Sequence, residues 1–269
     1  SEVHRVGGRR QRSFCLTFPA ATACCWSPKI AVAADEIQTR SAGAEAMQKV
    51  ALKTVVFMGS ARNVVPPWGG DARLGDRVLK HVLSVLKARD EAYGQDQVSH
   101  EVSVFDPVEV FGPGGALEGD GHLTTPHFFL KAGTNPKMDE MQASIKAADG
   151  YVVVTAEYNH SLPPALTSLM GHFGGSNYKC KPSCIVTYSP GPWAGMRAAM
   201  AARPFLSELG CIPVSKLAAF PAPNELFDEE GAPKDPEARM LKQLPAMVGE
   251  LEWMALAMKK MRDSAGLPK

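Results

Sequence analysis

The 269-residue sequence contains no apolar run near the ~18–20 residues needed to cross a bilayer, so no membrane span is expected. It also lacks an excess of either charge. Its 29 Lys and Arg against 28 Asp and Glu leave a net charge of +1, which argues against a protein built to track nucleic acid or coat an anionic membrane. Cysteine is sparse: Cys15, Cys24, Cys25, Cys180, Cys184 and Cys211, two of them adjacent, follow no disulfide framework. Cys180 and Cys184 have no second pair at metal-ligand spacing, so the expectation is reduced thiols, no metal and an intracellular compartment. Neither a Walker loop nor a G-x-G-x-x-G fingerprint is present. What the chain does have is 45% hydrophobic residues, enough for a large packed α/β body.

The first fifty residues differ from the rest. Residues 1–34 carry Arg5, Arg9, Arg10, Arg12 and Lys29 against one acid, Glu2. Such a basic, acid-poor stretch has the composition of an organellar transit peptide. A secretory signal ending at Ala31-Val-Ala33 and a disordered tail are the alternatives. The fold is expected in residues 51–269, in the cytoplasm, or in an organelle if the leader is a transit peptide.

From residue 53 on, strand and helix patterns alternate. Residues 53–58 are apolar, β-branched and closed by Gly59, the mark of a strand buried on both faces. Leu74, Val78, Val82, Val85 and Leu86 recur at helical spacing, predicting a helix over 73–92. Residues 100–105 alternate and predict an edge strand. Residues 107–136 read as a long Gly-, Pro- and Thr-rich loop, and Asn135-Pro136 opens the next helix. Strands are expected at 151–155, 183–188 and 214–220, with helices over 165–173 and 196–209. A last helix carries a stripe from Leu244 to Met258 and should break or kink at Pro245. Five strands alternating with helices imply a doubly wound parallel sheet in a three-layer α/β/α sandwich. Ligands of such sheets sit beyond the carboxyl ends of the strands.

Three loops lie at those ends. Gly59-Ser60-Ala61-Arg62 offers a tight turn, a hydroxyl, outward N–H groups and a guanidinium, all suited to an anion. Alone this is equally a plain strand–helix turn with a surface arginine. The second loop runs from Ala156 through Glu157, Tyr158, Asn159, His160 and Ser161 to Pro164, and an aromatic among amides and hydroxyls suits a flat heterocycle. The third, Ser189-Pro190-Gly191-Pro192-Trp193-Ala194-Gly195, has glycines that let backbone approach a ligand.

On these residues, and on the stretch from Ala147 to Pro163, the chain resembles the NADPH-dependent FMN reductase family from about residue 53 to 261. The resemblance implies a flavodoxin-like five-stranded sheet in the order 2-1-3-4-5, and FMN as cofactor with NADPH or NADH as co-substrate. It implies reduction of a small-molecule acceptor such as a quinone, an azo compound or free flavin, in a homodimer or homotetramer. It places Ser60 and Arg62 at the phosphate; the extra segment at 64–70 would move Arg73 into the same site, and Gly59, Leu74 and Gly75 are expected among the cofactor-binding residues. It places Glu157, Tyr158 and Asn159 at the flavin ring, and Ser189, Gly191 and Gly195 in the third flavin loop; Ser161 is expected among the cofactor-binding residues. It assigns no catalytic side chain, because the redox chemistry belongs to the flavin. The chain departs from the family at Ala156, where proline is usual, and at Leu166-Thr167-Ser168, where Leu-Lys-Asn is usual. An electron-carrying flavodoxin and a flavin-free scaffold remain alternative readings.

Overall fold

A computed structural model describes residues 47–62, 72–118 and 125–268, all within the unit Glu45–Lys269. The leader and the segment 64–70 lie outside the described residues. Strand β1 (Gln48–Met58) is the hub of the sheet. Val55 and Phe57 face one core and Val56 and Met58 the other, so both faces of its second half are covered. That double burial is why the segment reads as one continuous apolar run.

A short strand β2 (Glu91–Tyr93) precedes β3 (Asp96–Phe105) and pairs with it antiparallel. On either side of β1 run β3 and β4 (Gly150–Ala156), both parallel to it. Strand β5 (Lys181–Ser189) follows β4. Its first residues pair with β6 (Cys211–Pro213) and its last with β7 (Ala218–Pro221), both parallel. With β6 and β7 together filling the fifth place, the parallel strands take the flavodoxin-like order 2-1-3-4-5.

Helices α1 (Leu74–Lys87) and α8 (Gln243–Ala265) cover one face through Val78, Val82, Met247 and Leu251. On the other face lie α3 (Pro136–Ala147), α4 (Pro164–Gly171) and α6 (Met196–Glu208), packed through Ile145, Leu166 and Leu206. Three short helices complete the set: α2 (Pro107–Phe111), α5 (Gly175–Tyr178) and α7 (Pro223–Leu226).

The structure departs from the sequence expectations in five places. The helix over 73–92 stops at Lys87, and residues 91–93 form β2 instead, which Gly94, at φ +66°, turns straight into β3. Consequently β3 begins at Asp96, ahead of the expected 100, and β2 lies outside it at the sheet edge. The segment 107–136 is not simply a loop: Asp106 accepts from Val108 N at 2.9 Å and starts α2, with Pro107 at the first helical position. The strand over 214–220 is split. The Glu250 carboxylate takes the backbone N–H groups of Ser215 and Lys216, each at 3.0 Å, and draws that stretch off the ladder. Finally, Pro245 neither breaks nor kinks α8. It sits in the first turn, where an N–H would have no intrahelical acceptor, and the helix runs on to Ala265.

Among the described residues no helix is long and apolar enough to cross a membrane, no group of metal-binding side chains forms, and Cys180, Cys184 and Cys211 are free thiols.

Candidate functional site

The carboxyl ends of β1, β4 and β5 surround a cleft of about 170 Å³. Ser60, Arg62, Leu74, Gly75, Glu157, Tyr158 and Ser189 line it, joined by Ala156, Tyr188 and Pro190, which sequence reasoning did not assign. Tyr188 closes a strand read only as core, and its position just before the third loop was the available signal. Its hydroxyl is buried beside the Ser60 side chain without a hydrogen bond of normal geometry among the described residues, and burial pushes its pKa up. Gly75 makes room for it: a Cβ there would come within 2.1 Å of the Tyr188 hydroxyl and of Met58 Cε.

Tyr158 is held from two directions. Its hydroxyl lies 2.8 Å from the Ser60 hydroxyl, tying the second loop to the first. Its backbone pairs with that of Ser161 in both directions, at 3.0 and 2.9 Å, around a two-residue turn in which Asn159 and His160 take φ of 50° and 64°. Asn159 and Ser161 therefore shape the turn and do not line the cleft. The Arg62 guanidinium rests over the Tyr158 ring, 3.9 Å from its centroid.

Glu157 faces the cleft, but its carboxylate is engaged elsewhere. It accepts from Arg197 N at 3.0 Å and from Arg197 Nη1 at 2.9 Å, at the start of α6. Partial burial opposes its ionisation, and the Arg197 bonds overcome this and hold its pKa below the ordinary value. Glu157 thus ties the second loop to the third. The third loop closes on itself, with Ser189 Oγ donating to Gly191 O at 3.0 Å and Gly195 entering α6 at φ +77°. Gly191 and Gly195 lie outside the cleft wall, as does Gly59, whose N–H bonds Val154 O at 2.8 Å.

Arg73 also lies outside the wall, with a buried side chain. Nη1 donates to Ser60 O at 2.8 Å and to Asp106 Oδ1 at 2.7 Å, and Nη2 to Asp106 Oδ2 at 2.5 Å and Asp76 Oδ1 at 2.6 Å. Burial works against its charge, and the Asp106 and Asp76 bonds more than offset that, so its pKa is raised. Arg73 braces the first loop against the ends of β3 and α1, with both terminal nitrogens already committed. Asp106, its main partner, was legible in sequence only as the residue ending a strand.

The cleft is partly apolar, carries an aromatic platform and a basic residue on its wall, and lies at the switch in strand order, where open α/β sheets bind their ligands. The family model for NADPH-dependent FMN reductase matches residues 52–225, and the chain belongs to that family. Its cofactor is FMN, with NAD(P)H as reductant. A search of curated proteins gives no match. Among solved structures, an oxidoreductase from Corynebacterium diphtheriae superposes with a TM-score of 0.55 at 17% identity, over 77% of this chain and 98% of that one. FerB, a flavoenzyme NAD(P)H:(acceptor) oxidoreductase from Paracoccus denitrificans, gives 0.54 at 18% identity, over 77% and 98%. These likenesses establish the fold.

The residues present suit the cofactor. Arg62 is the basic residue on the cleft wall, Tyr158 offers a flat face, Tyr188 a buried hydroxyl, and Gly75 the space a side chain would fill. Neither His160 nor His172 lines the cleft.

Proposed function

We propose that this flavin oxidoreductase passes electrons from NAD(P)H to a diffusible, planar acceptor of the quinone, azo or free-flavin class. The observation that carries the reading is the Tyr158 ring, which already holds one planar group, the Arg62 guanidinium, on its face inside the cleft. Bound FMN supplies the redox chemistry, taking a hydride equivalent and releasing electrons. The chain binds and orients. In this reading Arg62 and the Ser60 loop hold the phosphate, Tyr158 covers the ring, and the Tyr188 hydroxyl answers a polar atom of the ligand. Leu74, Gly75 and Ser189 complete the wall, and Glu157 keeps the second and third loops in register. No acid–base triad is required; among the described residues of the cleft wall the one carboxylate, Glu157, is tied to Arg197.

The test is anaerobic. Protein loaded with FMN is mixed with NADPH or NADH, and the flavin absorbance is followed until it bleaches. A quinone or an azo dye is then added, and the colour should return as the acceptor is reduced. A protein that binds FMN yet bleaches with neither nucleotide is an electron carrier and not a reductase. One that binds no FMN contradicts the site assignment.

A further inference from the structure

Two arginines of opposite character flank the first loop, Arg62 on the cleft wall and Arg73 outside it. Arg73 is largely buried and its side chain makes four hydrogen bonds, while Arg62 is exposed and forms no ion pair with any described carboxylate. The nearest acid along the second loop, Glu157, is held by Arg197, so it does not draw Arg62 away. Arg62 lies instead on the Tyr158 ring, a ring fixed by Ser60 and by the Asn159–His160 turn. The guanidinium therefore covers the surface on which a flat ligand would stack.

We infer that Arg62 is a specificity-determining residue that selects phosphorylated over unphosphorylated flavin by occupying the Tyr158 face until a phosphate draws it off. This rests on the reading that FMN occupies the cleft. An exposed cation–π contact is weaker than a charge-assisted bond to phosphate. A flavin carrying a phosphate offers Arg62 the better partner and frees the ring in the same event. Riboflavin offers no such partner, so it must displace the guanidinium without compensation. Arg62 thus acts with opposite sign on the two ligands, whereas a simple phosphate ligand would act on FMN alone.

The experiment measures the affinities of apo wild type, Arg62→Ala and Arg62→Lys for FMN and for riboflavin, by quenching of flavin fluorescence. For Arg62→Ala, FMN should bind about 10- to 100-fold more weakly, the loss of a hydrogen bond to a charged group. Riboflavin should bind about two- to fivefold more tightly, the release of an exposed cation–π contact. Arg62→Lys keeps the positive charge but stacks less well on a ring. It should hold most of the FMN affinity and still bind riboflavin more tightly than wild type. Unchanged or weakened riboflavin binding in both variants overturns the inference and leaves the function intact. So does a wild type that binds both flavins equally. A wild type that binds neither flavin overturns the proposed function and this inference together.

Discussion

The cleft and the cluster beneath α8 use similar polar groups to different ends. Under α8, Glu252 is fully buried and accepts from Arg89 Nε at 2.9 Å, Arg89 Nη2 at 2.5 Å, Tyr93 OH at 2.6 Å and His100 Nε2 at 3.0 Å. His100 Nδ1 lies 2.8 Å from the Thr54 hydroxyl, which ties the ring to β1. Burial alone would push the Glu252 pKa up, but these donors bring it down to about 2. In the cleft, by contrast, the Tyr188 hydroxyl has no hydrogen bond of normal geometry and Arg62 has no counter-ion among the described residues. Where folding has answered every polar group, the cluster is architecture. Where it has left a donor and a cation open at the end of a parallel sheet, the opening suits a ligand. Arg73 shows that the boundary does not follow location, because it stands beside the cleft and is as fully engaged as Glu252.

The largest effect that would break this contrast is at Glu252. Glu252→Ala strands Arg89 and His100 and should cost about 3–5 kcal/mol of stability, the usual cost of removing one partner from a buried ion pair. That corresponds to a fall in Tm of about 6–20 °C in a calorimetric scan. FMN affinity of the folded fraction should not change, and a parallel loss of affinity would mean that the two regions are coupled.

Arg73→Ala should destabilise by about 3 kcal/mol, because the buried Asp106 loses its counter-ion. It should also weaken FMN, since the first loop loses its brace at Ser60 O. Adding Asp106→Asn should restore part of both. If Arg73 instead binds phosphate directly, the second substitution will restore stability without restoring FMN affinity.

Acid should act on the cluster through the same carboxylate. The folded Glu252 pKa, about 2, lies below the ordinary 4.5, so its contribution is complete above about pH 4.5 and is lost as the pH falls toward 2. The loss amounts to roughly 3 kcal/mol from this group, read as denaturant midpoints across that window. Glu252→Gln should remove this pH dependence and flatten the profile.

The smallest effect belongs to Glu157→Gln. Arg197 is partly exposed, so releasing it should cost only about 1 kcal/mol. The readout is a few-fold rise in KM for the acceptor with kcat nearly unchanged, as expected if the carboxylate positions loops and takes no part in chemistry.

Several elements were plain in the sequence. Segments 53–58, 151–155 and 183–188 all lie inside observed strands, because burial on both faces demands β-branched and apolar residues in unbroken runs. Ser60, Arg62, Glu157, Tyr158 and Ser189 could be singled out because each closely follows such a run, and a doubly wound sheet gathers its strand ends at one edge. Two-residue features were harder. The β2–β3 hairpin hides behind a helical pattern until Gly94 is seen to turn, and the break at Ser215–Lys216 depends on a carboxylate thirty-five residues away.

What the sequence determined by itself is the alternation of strands and helices, the sheet they form and the edge where a ligand would bind, since these follow from local periodicity and chain connectivity. What only the tertiary structure decided is the occupation of each polar group. Arg73 is bound to Asp106, Glu157 to Arg197 and Glu252 to Arg89 across separations of 33, 40 and 163 residues, while Arg62 is left on an aromatic face. A hydrogen bond or an ion pair depends on distances of a few ångströms in space. Periodicity along the chain carries no such information, so two arginines eleven positions apart in sequence can be read alike and yet play opposite parts.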